Sequence, residues 1–276
     1  GTAETVVDGL VKPHGLVFNG NKLYVAETNE VVVYDYDTRL YKGLNKKKII
    51  DLPKGDRHFT RSLLIKDGKL YISIGSHCDA CVESDPRYAS VWSANLDGSD
   101  FKLYASGLRN SVFITLNPFT NEIWGTEMGR DFLGDDLPPE EINIIKPGHY
   151  GWPYCYGDKV VDNSMNPGGT KFDCSKTTPP HIKFQAHSAP LGLAFLGDDL
   201  LVSFHGSWNR TVPTGYKVVK FKLDKNGNSL GGPEDFLTGW KDDGAALGRP
   251  VDILVKGAEI YLSDDKAGVV YLVKPI

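Results

Sequence analysis

No apolar run in this chain approaches the roughly 18 residues that a membrane-spanning helix needs, so no helical span is expected. Charge of one sign is also scarce. Against 31 Lys and Arg stand 35 Asp and Glu, a net charge of −4, and the basic stripe that nucleic-acid binding rests on is missing. Segments of helical periodicity are few, which argues against a bundle or an α/β fold. The chain opens GTAETVVDGL, without the basic flank and apolar run of a leader, and a mature secreted chain reads the same way.

Cysteine is limited to four residues, Cys78, Cys81, Cys155 and Cys174. Val82 stands where a c-type haem site would need histidine. His77 adjoins the C-x-x-C, but no second C-x-x-C or H-x-x-x-H completes a zinc set, so neither haem nor zinc is expected. Four cysteines allow three pairings. Cys78–Cys81 and Cys155–Cys174 are favoured because each pair is close in sequence at the ends of a loop, the alternative being reduced thiols in a cytosolic protein.

What the chain does have is a recurring unit of short alternating strands and tight turns. It reads PHGLVFNGNKLYVAETNEVVVYDYD at 13–37, HFTRSLLIKDGKLYISIGS at 58–76 and NSVFITLNPFTNEIWGTEMG at 110–129. It returns as APLGLAFLGDDLLVSFHGS at 189–207 and RPVDILVKGAEIYLSDDKAGVVYLVKPI at 249–276. Units that bury their faces only against their neighbours are the blades of a β-propeller. The expectation is an all-β fold over 1–276, a single propeller of four-stranded blades with five repeats. TAETVVDGL is expected to add the outer strand of the C-terminal blade and so close the ring. Extra length falls in loops at 78–90, 130–140 and 154–188, where binding and catalysis usually reside on such scaffolds.

His58 begins the innermost strand of its unit, near the central channel. An imidazole there suits a general base, although a histidine hydrogen-bonded at a strand end is the plainer reading. Arg109 and Asn110 hold the equivalent place in the third unit and Arg249 in the fifth, while His205 and Arg210 follow the second strand of the fourth. Several basic groups around one channel suit a planar ligand bearing carboxylates, because guanidinium forks pair with carboxylates bidentately. The loop GRDFLGDDLPPEEIN at 129–143 carries five carboxylates, a hard-oxygen composition that suits calcium but lacks EF-hand spacing; a solvated acidic loop reads the same.

Taken together, HFTRSL, SIGSHCDACVESDPRYA, GLRNSVF, EMGRDFLGDDLPPEEIN, HYGWPYCYG, HGSWNRTVPTGYKVV and GRPVDILV resemble the soluble pyrroloquinoline quinone (PQQ) sugar dehydrogenases, most closely the sorbosone dehydrogenase-like branch. The resemblance covers nearly the whole chain and implies oxidation of an aldose or sugar aldehyde, with electrons passed to an external acceptor. It implies His58 as the base for the C1 hydroxyl while hydride passes to the quinone. Arg109 and Asn110 would contact the quinone, and Arg249, with His205 or Arg210, would clamp its carboxylates. The Gly129 and Arg130 carbonyls would hold one calcium, and Glu141 and Tyr150 a second, structural one. A periplasmic or extracellular setting is implied. The chain departs from the family pattern at Val251, where the glucose-oxidising branch has a basic residue. Its only glutamine, Gln185, lies away from the early blade that supplies one in that branch. The family plan has six blades, so five repeats leave room for a missing N-terminal blade. A non-catalytic propeller that binds sugar or protein is the alternative reading.

Overall fold

A computed structural model describes residues 3–55, 57–242 and 244–275. The alternating segments form five antiparallel blades in chain order, as the repeats predict; Gly148–His149 adds a parallel edge to the second, and Cys155–Tyr156 with Val160–Val161 makes a separate two-stranded sheet. The first blade comprises Leu16–Asn19, Lys22–Ala26, Glu30–Asp37 and Lys42–Asp51, and the second Arg61–Lys66, Lys69–Ile74, Ser90–Asn95 and Lys102–Ser106. The third is Ile114–Leu116, Ile123–Glu127, Glu140–Ile145 and Ile182–Phe184. Its last strand arrives only after the long loop that begins beyond residue 145. Pro190–Leu196, Asp199–Phe204, Lys217–Lys222 and Glu234–Leu237 make the fourth blade. The fifth has three strands, Pro250–Lys256, Glu259–Asp264 and Val269–Val273. Among the described residues no helix is long and apolar enough to cross a membrane.

Period-two alternation gives each sheet two apolar faces, and these interlock between neighbours. Tyr24, Ala26 and Val31 of the first blade pack on Leu70 and Ile72 of the second. Val91 and Ala105 meet Ile114 and Ile123, Trp124 and Ile142 meet Leu200 and Val219, and Leu201 and Val218 meet Ile253 and Leu262. Each such aliphatic side chain contributes about 1.5–3 kcal/mol by leaving water, so the blades are stable only as a stack.

Near the channel the same four junctions are also bridged by hydrogen bonds. Gly15 N donates to Arg61 O at 2.8 Å, Ser62 Oγ to Val112 O at 2.5 Å, and Thr126 Oγ1 to Leu191 O at 2.7 Å, while Ser203 Oγ reaches Val251 O. Close approach here demands glycine: a Cβ on Gly15 would lie 2.5 Å from Arg61 O and 2.7 Å from Leu63 N. Gly15→Ala is therefore expected to lower the melting temperature by several degrees, on the order of 1–3 kcal/mol of overpacking. Gly232→Ala, which meets nothing within 4 Å, should leave it unchanged. Equal melting curves for the two variants would contradict this account of the junction.

The ring is not closed as the sequence predicts. Residues 3–10 form no strand and do not join the fifth blade. Instead, Gly43 N donates to Val6 O at 3.0 Å, and Val6, Val7 and Leu10 cover Leu23, Val25, Val32 and Tyr34 on the free face of the first blade. Gly1 and Thr2 lie outside the described residues. The physical reason is that this face already offers a continuous apolar surface, and a short segment rich in valine and leucine buries more there than along one strand edge. Both favoured disulfides are present, Cys78–Cys81 and Cys155–Cys174.

Candidate active site

The blades bring their first strands together around a cavity of about 320 Å³. His58, Arg109, Asn110, His205, Arg249 and Gly129 all line it, so most of the basic set chosen from the sequence converges. Arg57 joins them, with Asp131, Glu140 and His187 on the third-blade side and Trp208 at the mouth.

His58 is held at the turn into its strand by Arg61, a fully buried residue whose Nη1 donates to the carbonyls of His58 and Thr60, both at 2.8 Å. The His58 ring is oriented by Ser76. Nδ1 lies 2.8 Å from both the carbonyl oxygen and Oγ of Ser76, and that Oγ donates onward to Cys78 O at 2.7 Å. A carbonyl only accepts, so Nδ1 carries the proton and Nε2 keeps its lone pair. Burial, then the positive charges of Arg109 and Arg57, pushes the His58 pKa down to about 3, and the ring is neutral across the physiological range.

Arg109 is buried and its donors are largely committed to protein. Nε binds Asp79 O at 2.8 Å, Nη2 binds Asp79 Oδ1 at 2.7 Å, and Nη1 meets Gly129 O at 2.9 Å and Met128 O at 3.2 Å. The guanidinium thus ties the C-x-x-C loop to the third blade. Asn110 differs: its side-chain amide has no hydrogen-bond partner among the described residues and faces the cavity, which makes it the stronger candidate for direct ligand contact. Arg249 spans to the fourth blade, with Nε on His205 O at 3.1 Å and Nη2 on Gly206 O, and lies over the Tyr216 ring. His205 Nε2 pairs with Asp265 at 2.9 Å, and burial lowers its pKa.

Arg210 is not brought to the cavity. Its guanidinium reaches Asp135 O and, at 3.2 Å, Asp136 Oδ1, so it fastens the acidic loop to the fourth blade. The Asp135 carbonyl and the Asp136 carboxylate hold its donors away from the cavity.

A second, much smaller cavity of about 40 Å³ backs the first, with Arg109, Met128 and Gly129 in the wall between them. Gly129, Arg130, Glu141 and Tyr150, chosen as two separate ligand sets, all line this one space. Glu141 is buried opposite Glu127 in the paired strands. Glu141 accepts from Asn143 Nδ2 and Gly157 N, both at 3.1 Å, and burial raises its pKa to about 7. Glu127 and Glu140 are buried, and burial raises each to about 8. Glu127 and Glu141 line this cavity and Glu140 the first; none is bonded to a cationic side chain among the described residues, and buried carboxylates so placed suit a hard cation. The Tyr150 hydroxyl, by contrast, is spent on backbone: it donates to Ile144 O at 2.7 Å and accepts from Lys146 N at 2.8 Å. The donor set therefore fits calcium through Glu141 and the neighbouring carbonyls better than through Tyr150.

Arg57, Arg61, Asp79, Glu127 and His187 were not singled out by the sequence. For Arg57 and Arg61 the signal was proximity to His58 in DRHFTR, and for Asp79 its place inside CDAC. Glu127 opens the motif EMGRDFLGDDLPPEEIN but draws no separate notice there, and nothing in the sequence marks His187; the weight of both comes from burial.

A family model described as TrAA12-like matches residues 3–275. A protein of Borreliella burgdorferi described only as uncharacterized is 32% identical over 298 residues, which is 98% of this chain and 77% of that protein. A pyrroloquinoline quinone-dependent sugar dehydrogenase of Hypocrea jecorina is 26% identical, covering 74% of this chain, and the match spans 60% of its own length. The calcium structure of the Trichoderma reesei Carbohydrate-Active Enzymes Family AA12 protein superposes with a TM-score of 0.85 at 24% identity. It covers 98% of this chain and 82% of that one, a likeness of fold.

Proposed function

We propose that this chain, which belongs to the TrAA12-like family, is a PQQ- and calcium-dependent dehydrogenase that oxidises an aldose or sugar aldehyde at C1. The observation that carries the reading is a neutral His58 whose bare Nε2 borders a cavity ringed by Arg57, Arg109, Arg249 and Asn110. The cationic wall suits a flat tricarboxylate, and Asn110 supplies an uncommitted amide beside it. When bound, PQQ supplies the two-electron acceptor for the C1 hydride, and an external acceptor takes those electrons on.

The protein's own part is positional and acid–base. His58 Nε2 takes the C1 hydroxyl proton, and Ser76 O holds the ring by accepting from Nδ1 as positive charge develops there. Arg249, and Arg57 from its ion pair with Asp131, would meet the cofactor's carboxylates. Arg109, locked by Asp79, keeps the wall positive and fixes the Gly129 carbonyl between the two cavities. Calcium would be held on the far side of that wall by Glu141 with the carbonyls of Gly129 and Arg130, and would supply a fixed positive charge there. Two disulfides support an extracytoplasmic setting.

Trp208 is 65% exposed at the mouth and meets Phe132 of the acidic loop edge-on, ring centres 5.9 Å apart. Such a pair offers an apolar face to a pyranose. Trp208→Ala is expected to raise KM for the sugar about 2- to 10-fold with kcat little changed. A fall in kcat at constant KM would place Trp208 elsewhere in the reaction.

The test of the whole reading is to mix the protein with calcium and PQQ and follow the quinone absorption while adding a panel of aldoses. Bleaching by one class of sugar supports the dehydrogenase and names its substrate class. Failure of PQQ to bind removes it and leaves a binding module.

A further inference from the structure

We infer that His77, Cys78, Cys81 and Glu83 form a zinc site that is gated by the Cys78–Cys81 disulfide. One ligand atom from each lies within 4.8 Å of the others, the sole such cluster of His, Cys, Asp and Glu among the described residues. His77 Nδ1 already stands 3.8 Å from Cys81 Sγ. Ligands 2.0–2.3 Å from a tetrahedral zinc lie about 3.3–3.8 Å from one another, so little movement is needed beyond parting the sulfurs. Two thiolates, an imidazole and a carboxylate are a donor set zinc accepts.

The loop is built to keep these ligands together once the disulfide opens. Ser76 N donates to Arg109 O at 2.7 Å, Ser76 Oγ holds Cys78 O, and Arg109 Nε holds Asp79 O at 2.8 Å. His77 N donates to Glu83 Oε1 at 3.0 Å, and the His77 ring bonds to the other oxygen of Glu83. Backbone anchored on both sides of the C-x-x-C means that reduction frees the sulfurs without freeing the chain.

The two disulfides differ in access. Cys78 and Cys81 are half-buried in the loop, whereas Cys155 and Cys174 are buried. A dithiol reductant reaches the first pair preferentially. It gives two electrons and two protons to the Cys78–Cys81 bond and is itself oxidised to a disulfide. Zinc binding then releases the two thiol protons as both sulfurs become thiolates.

Cobalt(II) serves as the probe, because thiolate ligation gives it near-ultraviolet charge-transfer bands and tetrahedral ligation gives intense visible bands. The full chain, treated with a dithiol and freed of excess reductant, is expected to take up one cobalt with both signatures, and zinc should displace it. Untreated protein should give neither signature. His77→Ala is expected to weaken binding at least about tenfold, the scale seen when even an outer-shell partner of a metal ligand is lost, and Cys81→Ser to abolish the charge-transfer bands. Alkylation mapped by mass spectrometry covers any variant that fails to fold: in the reduced wild-type chain zinc should protect Cys78 and Cys81, with Cys155 and Cys174 still joined. No cobalt uptake by the reduced chain, or uptake undiminished in His77→Ala, or protection confined to Cys155 and Cys174, overturns the proposal.

Discussion

His58→Ala is expected to lower kcat for aldose oxidation by about 10²- to 10⁴-fold while PQQ still binds, the range that a positioned general base contributes. The expectation follows from the tautomer. Ser76 O can only accept, so the proton sits on Nδ1 and the lone pair on Nε2, beside the cavity. Alanine removes that lone pair but none of the guanidinium groups, so quinone affinity should change little. His58→Gln sharpens the test, since its amide can donate to Ser76 O yet is no base. An equal loss in both variants assigns the effect to proton transfer, whereas a Gln variant near wild-type activity would remove His58 from the chemistry.

The pH dependence of that step is also set by the site. The pKa of His58 is held near 3 first by burial and then by Arg109 and Arg57. Carboxylates placed among those arginines cancel part of the positive potential, so His58 should titrate at a higher pH in the PQQ-loaded protein than in the protein without PQQ. Nuclear magnetic resonance titration of the His58 ring with and without PQQ checks this. A His58 titration at the same or a lower pH in the loaded protein would show that the arginines do not meet the cofactor's charge.

Much of the scaffold was legible because it depends on local patterning. Alternation, the turn residues at Gly20, Gly68, Gly197 and Gly257, and the repeat of both along the chain were enough to place five blades. Residues at equivalent blade positions were legible for the same reason, and His58, Asn110 and Arg249 do share one cavity. What could not be read depends on tertiary burial. Nothing local shows that the N-terminal segment covers the first blade rather than completing the fifth, nor that Arg210 is claimed by Asp135 and Asp136. Glu127 reads as an ordinary strand-end acid until the third blade closes over it. Exposed Leu254, Val270 and Leu272 on the fifth blade show the same limit, since their surroundings are set by what the ring leaves uncovered.

Calcium should raise the melting temperature far more at pH 8 than at pH 5. Glu127, Glu140 and Glu141 carry folded-state pKa values of about 8, 8 and 7, raised chiefly by burial, above an ordinary glutamate value of 4.5. Between about pH 4.5 and 8 the native chain therefore holds protons that the unfolded chain has released. The slope of stability with pH has the sign of protons bound unfolded minus protons bound native, which is negative here, so stability falls as pH rises through that window. Every tenfold gain in a carboxylate's proton affinity on folding corresponds to about 1.4 kcal/mol, and with three such groups the loss without metal amounts to several kcal/mol. A divalent cation beside Glu141 reverses the balance, because it favours the ionised carboxylate and releases the proton. It also offsets the repulsion between Glu127 and Glu141, which face each other across paired strands. Thermal melts at pH 5 and pH 8, with calcium and with a chelator, measure both parts. The chelated protein should lose stability toward pH 8 and calcium should restore it, with Glu141→Gln removing most of the calcium effect while stabilising the chelated protein at pH 8. A calcium effect of equal size at both pH values would mean that the metal binds at carboxylates already ionised, away from the buried three.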